Sequence, residues 1–166
     1  MIDVTKFSSR YAVRALTEAD AGEVLAVCLG NPQYYEYAEA RPTPEQVADD
    51  MRITPPGVDR SRKYFVGFFE GDALVAVMDL VDGYPEADVG YIGFFMMNAA
   101  YQGRRLGSEI IGGVAAYLKA LGKRSLRLAI EKDNPQSNHF WEKNGFRIIR
   151  EVERNGRALL VAERRL

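Results

Sequence analysis

Tyr101-Gln102-Gly103-Arg104-Arg105-Leu106-Gly107-Ser108 is the stretch on which the fold turns, because the periodicity of the chain changes across it. Before it, Asp88 to Met97 is an extended run with Val89, Tyr91, Gly93, Phe95 and Met97 expected on one face and apolar residues on both faces, which predicts a central strand covered on both sides. After it, Leu106, Ile110, Val114, Leu118 and Leu121 recur at helical spacing up to Gly122. A turn that feeds a helix presents free backbone N–H groups, and the helix dipole adds positive character there. Gly103 and Gly107 let the backbone approach a ligand closely, and Arg104 and Arg105 can offset phosphate charge. Residues 102–108 therefore form a candidate anion site, although two glycines and two arginines before a helix also suit a solvated cap.

Working outward, residues 10–16 read as a first strand, and Thr17-Glu18-Ala19-Asp20 resembles a capping box opening a helix that ends at Gly30-Asn31-Pro32. A tyrosine-rich stretch, Pro32 to Tyr37, has no assigned structure. Thr43-Pro44-Glu45-Gln46 then starts a short helix carrying Val47 and Met51 inward. Lys63 to Phe69 and Ala73 to Val81 read as strands about a Glu70-Gly71-Asp72 turn. Beyond the helix that begins near Leu106, Ser125 to Ile130 alternates as a strand, Asn134-Pro135 opens a helix and Asn144-Gly145 ends it. Phe146 to Val152 and Ala158 to Val161 flank Asn155-Gly156, a strong hairpin signal. The chain is expected to be an α/β domain of the α+β type, with one mixed, mostly antiparallel sheet of about seven strands flanked by about four helices.

The 166 residues suit one domain over 1–166, and the near-zero formal charge (−1) argues against a nucleic-acid partner. Cys28 is the only cysteine, and no run approaches the length of a membrane helix, so the expectation is a cytoplasmic protein without disulfides or a membrane partner. With His139 as the only histidine, a multi-histidine metal site is excluded, no metal is expected, and His139 reads as a helix-surface residue.

Asn134-Pro135-Gln136-Ser137-Asn138-His139-Phe140-Trp141-Glu142-Lys143-Asn144-Gly145-Phe146 resembles the second signature region of the GNAT superfamily of acyl-CoA-dependent N-acyltransferases, through Asn134, Ser137, Trp141, Glu142, Lys143, Gly145 and Phe146. The family's first signature, a Gln or Arg followed by x-x-Gly-x-Gly or Ala, falls on Gln102 and Gly107, about 30 residues upstream. The resemblance implies acetyl-CoA as co-substrate, held by Phe95, Met96 and Met97 on the strand, by Gln102 to Ser108 at the turn, and by Asn134, Ser137 and Trp141. It also implies a GNAT-like fold, and direct attack of a primary amine on the thioester in a ternary complex, with proximity supplying much of the catalysis. A backbone N–H near Phe95 to Met97 would hold the thioester oxygen, where the strand is thought to splay from its neighbour.

Two positions depart from the family pattern. Arg105 stands where the first glycine is usual; a positive φ there would cost roughly 1 kcal/mol or more. The turn is expected to keep donating its N–H groups, with the Arg105 side chain directed outward or towards a phosphate. Trp141 replaces a tyrosine proposed to protonate the leaving thiolate, and an indole N–H cannot do so. Its plain reading is packing against the pantetheine arm or the core, leaving the proton to water, the thiolate itself or another tyrosine.

The base that must free the amine is open. Candidates are Glu86, Asp88 and Tyr91, the last on the position eleven before Gln102 where some members place a glutamate; Asp79 and Asp82 are further options. Tyr34, Tyr35, Tyr37 and Tyr84 could line the acceptor pocket and stabilise a cationic amine, or bury against the sheet or a dimer interface. The acceptor, a small molecule or a peptide amine, and the oligomeric state, with a homodimer among the options, stay open. The competing reading is a non-catalytic CoA-binding sensor or interaction module, favoured by Arg105 and Trp141.

Overall fold

The computed structural model describes residues 1–38 and 40–166. Its sheet has seven strands: β1 (Ala12–Ala15), β2 (Lys63–Glu70), β3 (Ala73–Asp82), β4 (Val89–Met97), β5 (Ser125–Glu131), β6 (Arg147–Arg154) and β7 (Arg157–Arg165), in the order β1-β2-β3-β4-β5-β7-β6. Every neighbouring pair is antiparallel except β4–β5. That parallel pair is joined by the crossover helix α3 (Leu106–Ala120), as a parallel connection requires. The helices α1 (Ala21–Leu29), α2 (Pro44–Asp50) and α4 (Pro135–Lys143) complete the expected four.

The near-continuous apolar run of β3 splits its residues between two cores. Met78 and Leu80 pack with Ile110, Ile111, Val114 and Leu118 of α3, together with Leu126, Leu128 and Ile130 of β5. Val77 packs the other way, with Val24, Val27 and Cys28 of α1 and Val47 and Met51 beside α2. A strand buried on both faces needs apolar residues at every position.

Local signals act as their chemistry dictates. The Thr43 side chain accepts the Gln46 N–H at 3.2 Å, and the Asn134 side chain accepts the Ser137 N–H at 3.1 Å. At the start of α1 the Asp20 carboxylate accepts the Thr17 N–H at 2.8 Å, after a 3-10 turn over Glu18–Asp20 that precedes the α-helix. Asn155 and Gly156 both take positive φ (52° and 75°), as a two-residue hairpin loop needs. Pro32 to Tyr37 contains a single 3-10 turn over Tyr34–Glu36. Leu121 departs from expectation: the helix stops at Ala120, Lys123 N–H bonds Leu118 O across Gly122 (φ 84°), and Leu121 is swung outward, 46% exposed.

The expected face of β4 is also broken. Asp79 pairs with Phe94 and Leu80 with Ile92, so Gly93 is an extra residue and the alternation flips across it. Phe95 and Met97 pack on the α3/α4 core with Ile92, whereas Phe94 and Met96 face the α1/α2 side. Tyr91 therefore does not share a face with Phe95 and Met97. A side chain at Gly93 would place its Cβ 2.7 Å from the Asp79 carboxylate, so only glycine fits the bulge without displacement.

Arg105 takes the left-handed conformation, φ 60° and ψ 12°, immediately before α3. An L-residue there costs about 1–2 kcal/mol. Arg105→Gly removes that cost but frees the unfolded chain, so a net gain of about 0.5–1 kcal/mol, or about 1–4 °C in Tm, is expected by thermal melt; a lower Tm would show that the arginine's contacts outweigh its strain. Asp20 supplies a pH-dependent counterpart. The Arg14 guanidinium, 2.9 Å away, and the Thr17 N–H hold its carboxyl down at about 2, below the usual 3.8. The folded state thus favours the carboxylate, and its stabilisation is complete above the usual value and lost as pH falls through about 2. Asp20→Ala should lower stability by about 1 kcal/mol at neutral pH, and most of the difference from wild type should vanish in melts below pH about 2.

Candidate active site

The parallel pairing of β4 and β5 covers only Val89↔Ser125 to Ile92↔Leu128 and stops at the bulge. Beyond Gly93 the two strands part, and the β5-facing backbone groups of residues 94–97 have no strand partner. The chain then passes a 3-10 turn over Ala99–Tyr101, whose first N–H bonds are closed by the Asn98 side chain, and enters the 102–105 turn. The first bond of α3 runs from Glu109 N–H to Arg105 O. The N–H groups of residues 103–108 are consequently without a partner among the described residues. They lie at the N-terminus of a four-turn helix, whose dipole adds positive character there.

A cavity of about 490 Å³ occupies the wedge between the parted strands, α3 and α4. Of the residues singled out in the sequence, Phe95, Met96, Met97, Gln102, Gly103, Arg105, Leu106, Gly107 and Ser108 line it from one side, and Asn134, Ser137 and Trp141 from the other. Arg104 does not: its guanidinium turns back to the Ala100 carbonyl (3.2 Å) and lies over the Tyr101 ring. Arg105 remains as the turn's arginine at the cavity. The Gln102 amide is committed inward, donating to the Asn31 side chain and to Met97 O (3.2 Å), while Asn31 Nδ2 donates to Met97 O (3.0 Å) and Val27 O (2.9 Å). Together these bonds tie the end of β4 to the end of α1 and fix the turn's height. Ser108 is held by the buried Asn144, whose amide donates to Ser108 Oγ at 3.1 Å.

Trp141 is 7% exposed and meets Phe95, Phe140 and Phe146 edge-on, with centroids 5.9, 4.9 and 5.1 Å away. It thus closes the inner end of the cavity as packing. Tyr101 and Lys143, quoted above in the two signature stretches, line it too, and Asn31, Gln136, Phe140 and His139 are lining residues that the sequence reading did not assign to the site. The spacing 136, 140, 143 on α4 could have shown that face; Asn31 carried no signal beyond ending a helix. His139 is exposed, as a helix-surface residue should be, yet it borders the cavity.

A second cavity, of about 530 Å³, lies on the α1/α2 side of the parted strands. Tyr34, Phe95, Asn134, Ser137 and Trp141 line both cavities, so the two adjoin at the gap beyond the bulge. Tyr84 and Tyr91 line the second, packed edge-on at 5.3 Å. Burial raises the Tyr91 and Tyr34 hydroxyls above the usual phenol value, keeping both protonated at neutral pH. Lys63 and Asp79 face each other at 2.7 Å in its wall.

Glu86 and Asp88 are not brought to either cavity. Glu86 sits 3.0 Å from Arg127 and is 59% exposed, and Asp88 is 3.6 Å from Arg124. Both precede β4, at the end of the strand opposite the gap, where the sequence offered cations to pair with them. Asp82 is likewise taken by Lys123, at 2.5 Å. Tyr35 lies in a smaller neighbouring cavity with Cys28.

The acetyltransferase (GNAT) family model matches residues 30–146, which include β4, the turn, α3, β5 and α4. No curated protein is similar enough to match. Among solved structures, an acetyltransferase from Thermus thermophilus is 28% identical with a TM-score of 0.74, covering 93% of this chain and 96% of that one. The PaiA N-acetyltransferase from Thermoplasma acidophilum, solved with coenzyme A, is 16% identical with a TM-score of 0.66 over 93% and 98%. A Salmonella typhimurium acetyltransferase that modifies the N-terminal serine of ribosomal protein L7/L12 is 16% identical with a TM-score of 0.76 over 96% and 97%. The last two likenesses establish the fold; the family match over most of the chain, on a parted β4–β5 pair and an N–H-lined turn, establishes that the protein belongs to the GNAT family of acetyltransferases.

Proposed function

We propose that residues 1–166 act as one N-acetyltransferase domain, passing the acetyl group of acetyl-CoA directly to a primary amine in a ternary complex. The observation that carries this reading is the meeting of two cavities at the gap in the sheet, one lined by unpartnered N–H groups and the other by tyrosines and a buried ion pair. The pyrophosphate would accept hydrogen bonds from the N–H groups of residues 103–108, with Arg105 beside it. The pantetheine arm would lie along residues 94–97, making the bonds that β5 leaves open, and pack on Phe140 and Trp141. The acceptor would enter from the second cavity. Relatives of similar fold that modify ribosomal proteins make a peptide amine a reasonable acceptor beside small-molecule amines. No helix among the described residues is long and apolar enough to cross a membrane, and the free, buried Cys28 suits a reducing, cytoplasmic setting.

In the transfer itself the amine nitrogen attacks the thioester carbon, the C–N bond forms and the C–S bond breaks. The developing oxyanion is held by an N–H of the open edge of β4. Trp141 cannot supply the proton that the thiolate needs. Tyr34 is the tyrosine lining both cavities, and its raised pKa keeps it a phenol at neutral pH. Its hydroxyl would protonate the sulfur, and the surplus proton on the new C–N nitrogen would restore it.

The reading is tested by free-thiol release from acetyl-CoA against a panel of small and peptide amines, alongside calorimetric CoA binding. Turnover on at least one amine is expected. CoA binding without release on any of them would favour the sensor reading. Tyr34→Phe should lower kcat by about 10²-fold with CoA affinity little changed; an unchanged kcat would remove Tyr34 from the reaction.

A further inference from the structure

Four charged side chains line the second cavity, and three of them are either paired or exposed to solvent. Glu131 is bound by Arg157 at 3.1 Å, Lys63 by Asp79 at 2.7 Å, and Arg154 stands exposed at the hairpin end. Asp79 is the exception. Its Oδ2 accepts the Lys63 ammonium, yet its Oδ1 is buried and has no hydrogen-bond donor among the described residues. A buried carboxylate oxygen left without a donor is costly and uncommon. Gly93, at the bulge, is the residue whose side chain would collide with this carboxylate. Asp79 thus lies against the point of β4 where the strands part and the two cavities join.

We propose that Asp79 is the catalytic base, receiving the acceptor's ammonium as the donor its carboxylate lacks and taking one proton from it. The step is R–NH3⁺ plus Asp79 carboxylate giving R–NH2 plus the Asp79 carboxylic acid; the N–H electron pair stays on nitrogen, which then attacks the thioester. Lys63, its side chain 4% exposed, holds the carboxylate in place and keeps the dyad neutral until the ammonium arrives. Both members of the dyad also line a smaller cavity of about 210 Å³ on the far side, with Asp50 at its surface-exposed edge. Tyr35, Cys28 and Asp50 are the titratable groups along its otherwise largely apolar wall by which the proton would leave. The substrate class this selects is a primary amine that reaches the gap as an ammonium ion, not an amide, an alcohol or an already neutral aromatic amine.

The inference rests on the transfer reaction proposed above. Asp79→Asn alone would strand the buried Lys63 charge, so the informative variant is the neutral pair Asp79→Asn with Lys63→Met. It is expected to fold with a Tm near wild type and to bind CoA normally, while kcat/KM for the amine falls by about 10²-fold. The acidic limb of its pH–rate profile should disappear. The other titratable or charged groups facing the dyad are Asp50 from α2, Cys28 from α1, Tyr34 and Tyr35 from the turn after it, Tyr84 and Tyr91, Glu131 from β5 and Arg154 from β6, all of which this variant retains. A folded neutral pair within threefold of wild-type activity would show that the dyad is structural only and overturn the proposal. Should the neutral pair not fold, Asp79→Glu decides: it keeps the ion pair but moves the carboxylate by one methylene. A tenfold or larger loss of kcat at unchanged CoA affinity supports the base, and an unchanged kcat overturns it. Absence of thiol release by the wild type on every amine would sink the transfer reading and this one together; wild-type turnover with an active neutral pair sinks this one alone.

Discussion

The extra residue in β4 governs the rest of the molecule. A parallel strand pair in the middle of a sheet would ordinarily run its full length, closing the backbone of both strands. Here Gly93 bulges, the pairing ends one residue earlier at Ile92 and Leu128, and the edges of residues 94–97 and 129–131 diverge. Buried backbone groups cannot be left unpaired cheaply, so a gap of this kind persists only where something else can satisfy them. The same bulge inverts the side-chain alternation, sending Phe95 and Met97 to the α3/α4 side and Phe94 and Met96 to the α1/α2 side. One inserted residue therefore both opens the slot and decides which side chains border each of its mouths.

Topology places the anion site beside that slot. Of the six strand pairings only β4–β5 is parallel, and it alone needs a helical crossover. The crossover puts the N-terminus of α3 at the C-terminal end of β4, the position where parallel sheets commonly bind ligands. Arg105 and Gly103, both at positive φ, bend the chain just before α3, where the N–H groups of residues 103–108 have no partner among the described residues. Gln102 and Asn31 then spend their amides on Met97 O, holding the turn against the end of the strand. The side chain that looks like a phosphate ligand in the sequence is thus a strut for the backbone that would do the binding.

Much of the architecture was legible because it follows from local rules. Thr43, Asn134, Gly122, Gly145 and Asn155-Gly156 are caps and turns whose chemistry acts within a few residues, and the apolar periods of α3, β3 and β5 report burial directly. The two parting strands were anticipated from the family resemblance, not from the residues. What remained hidden depends on register or on contacts far apart in sequence. The bulge cannot be read from an alternating run that contains a glycine, so Tyr91 was assigned to the wrong face. Glu86 and Asp88 looked free until Arg127 of β5 and Arg124 just before it were brought beside them, and Arg104 could not be told from Arg105 before the turn's dihedrals were known. The pairing of Lys63 with Asp79 spans 16 residues across a hairpin and leaves no local trace.

The two departures from the family pattern bear differently on function. Arg105 occupies a backbone conformation that glycine would adopt without strain, and the arginine brings to that position a cation facing the cavity from which Arg104 has withdrawn. A left-handed arginine beside six N–H groups without a partner among the described residues suits the anion-binding role proposed for the turn. Trp141 removes an acid but leaves the space around it closed, with three aromatic rings packed edge-on against the indole. Tyr34 is the titratable group lining both cavities, which suits the acid role proposed for it.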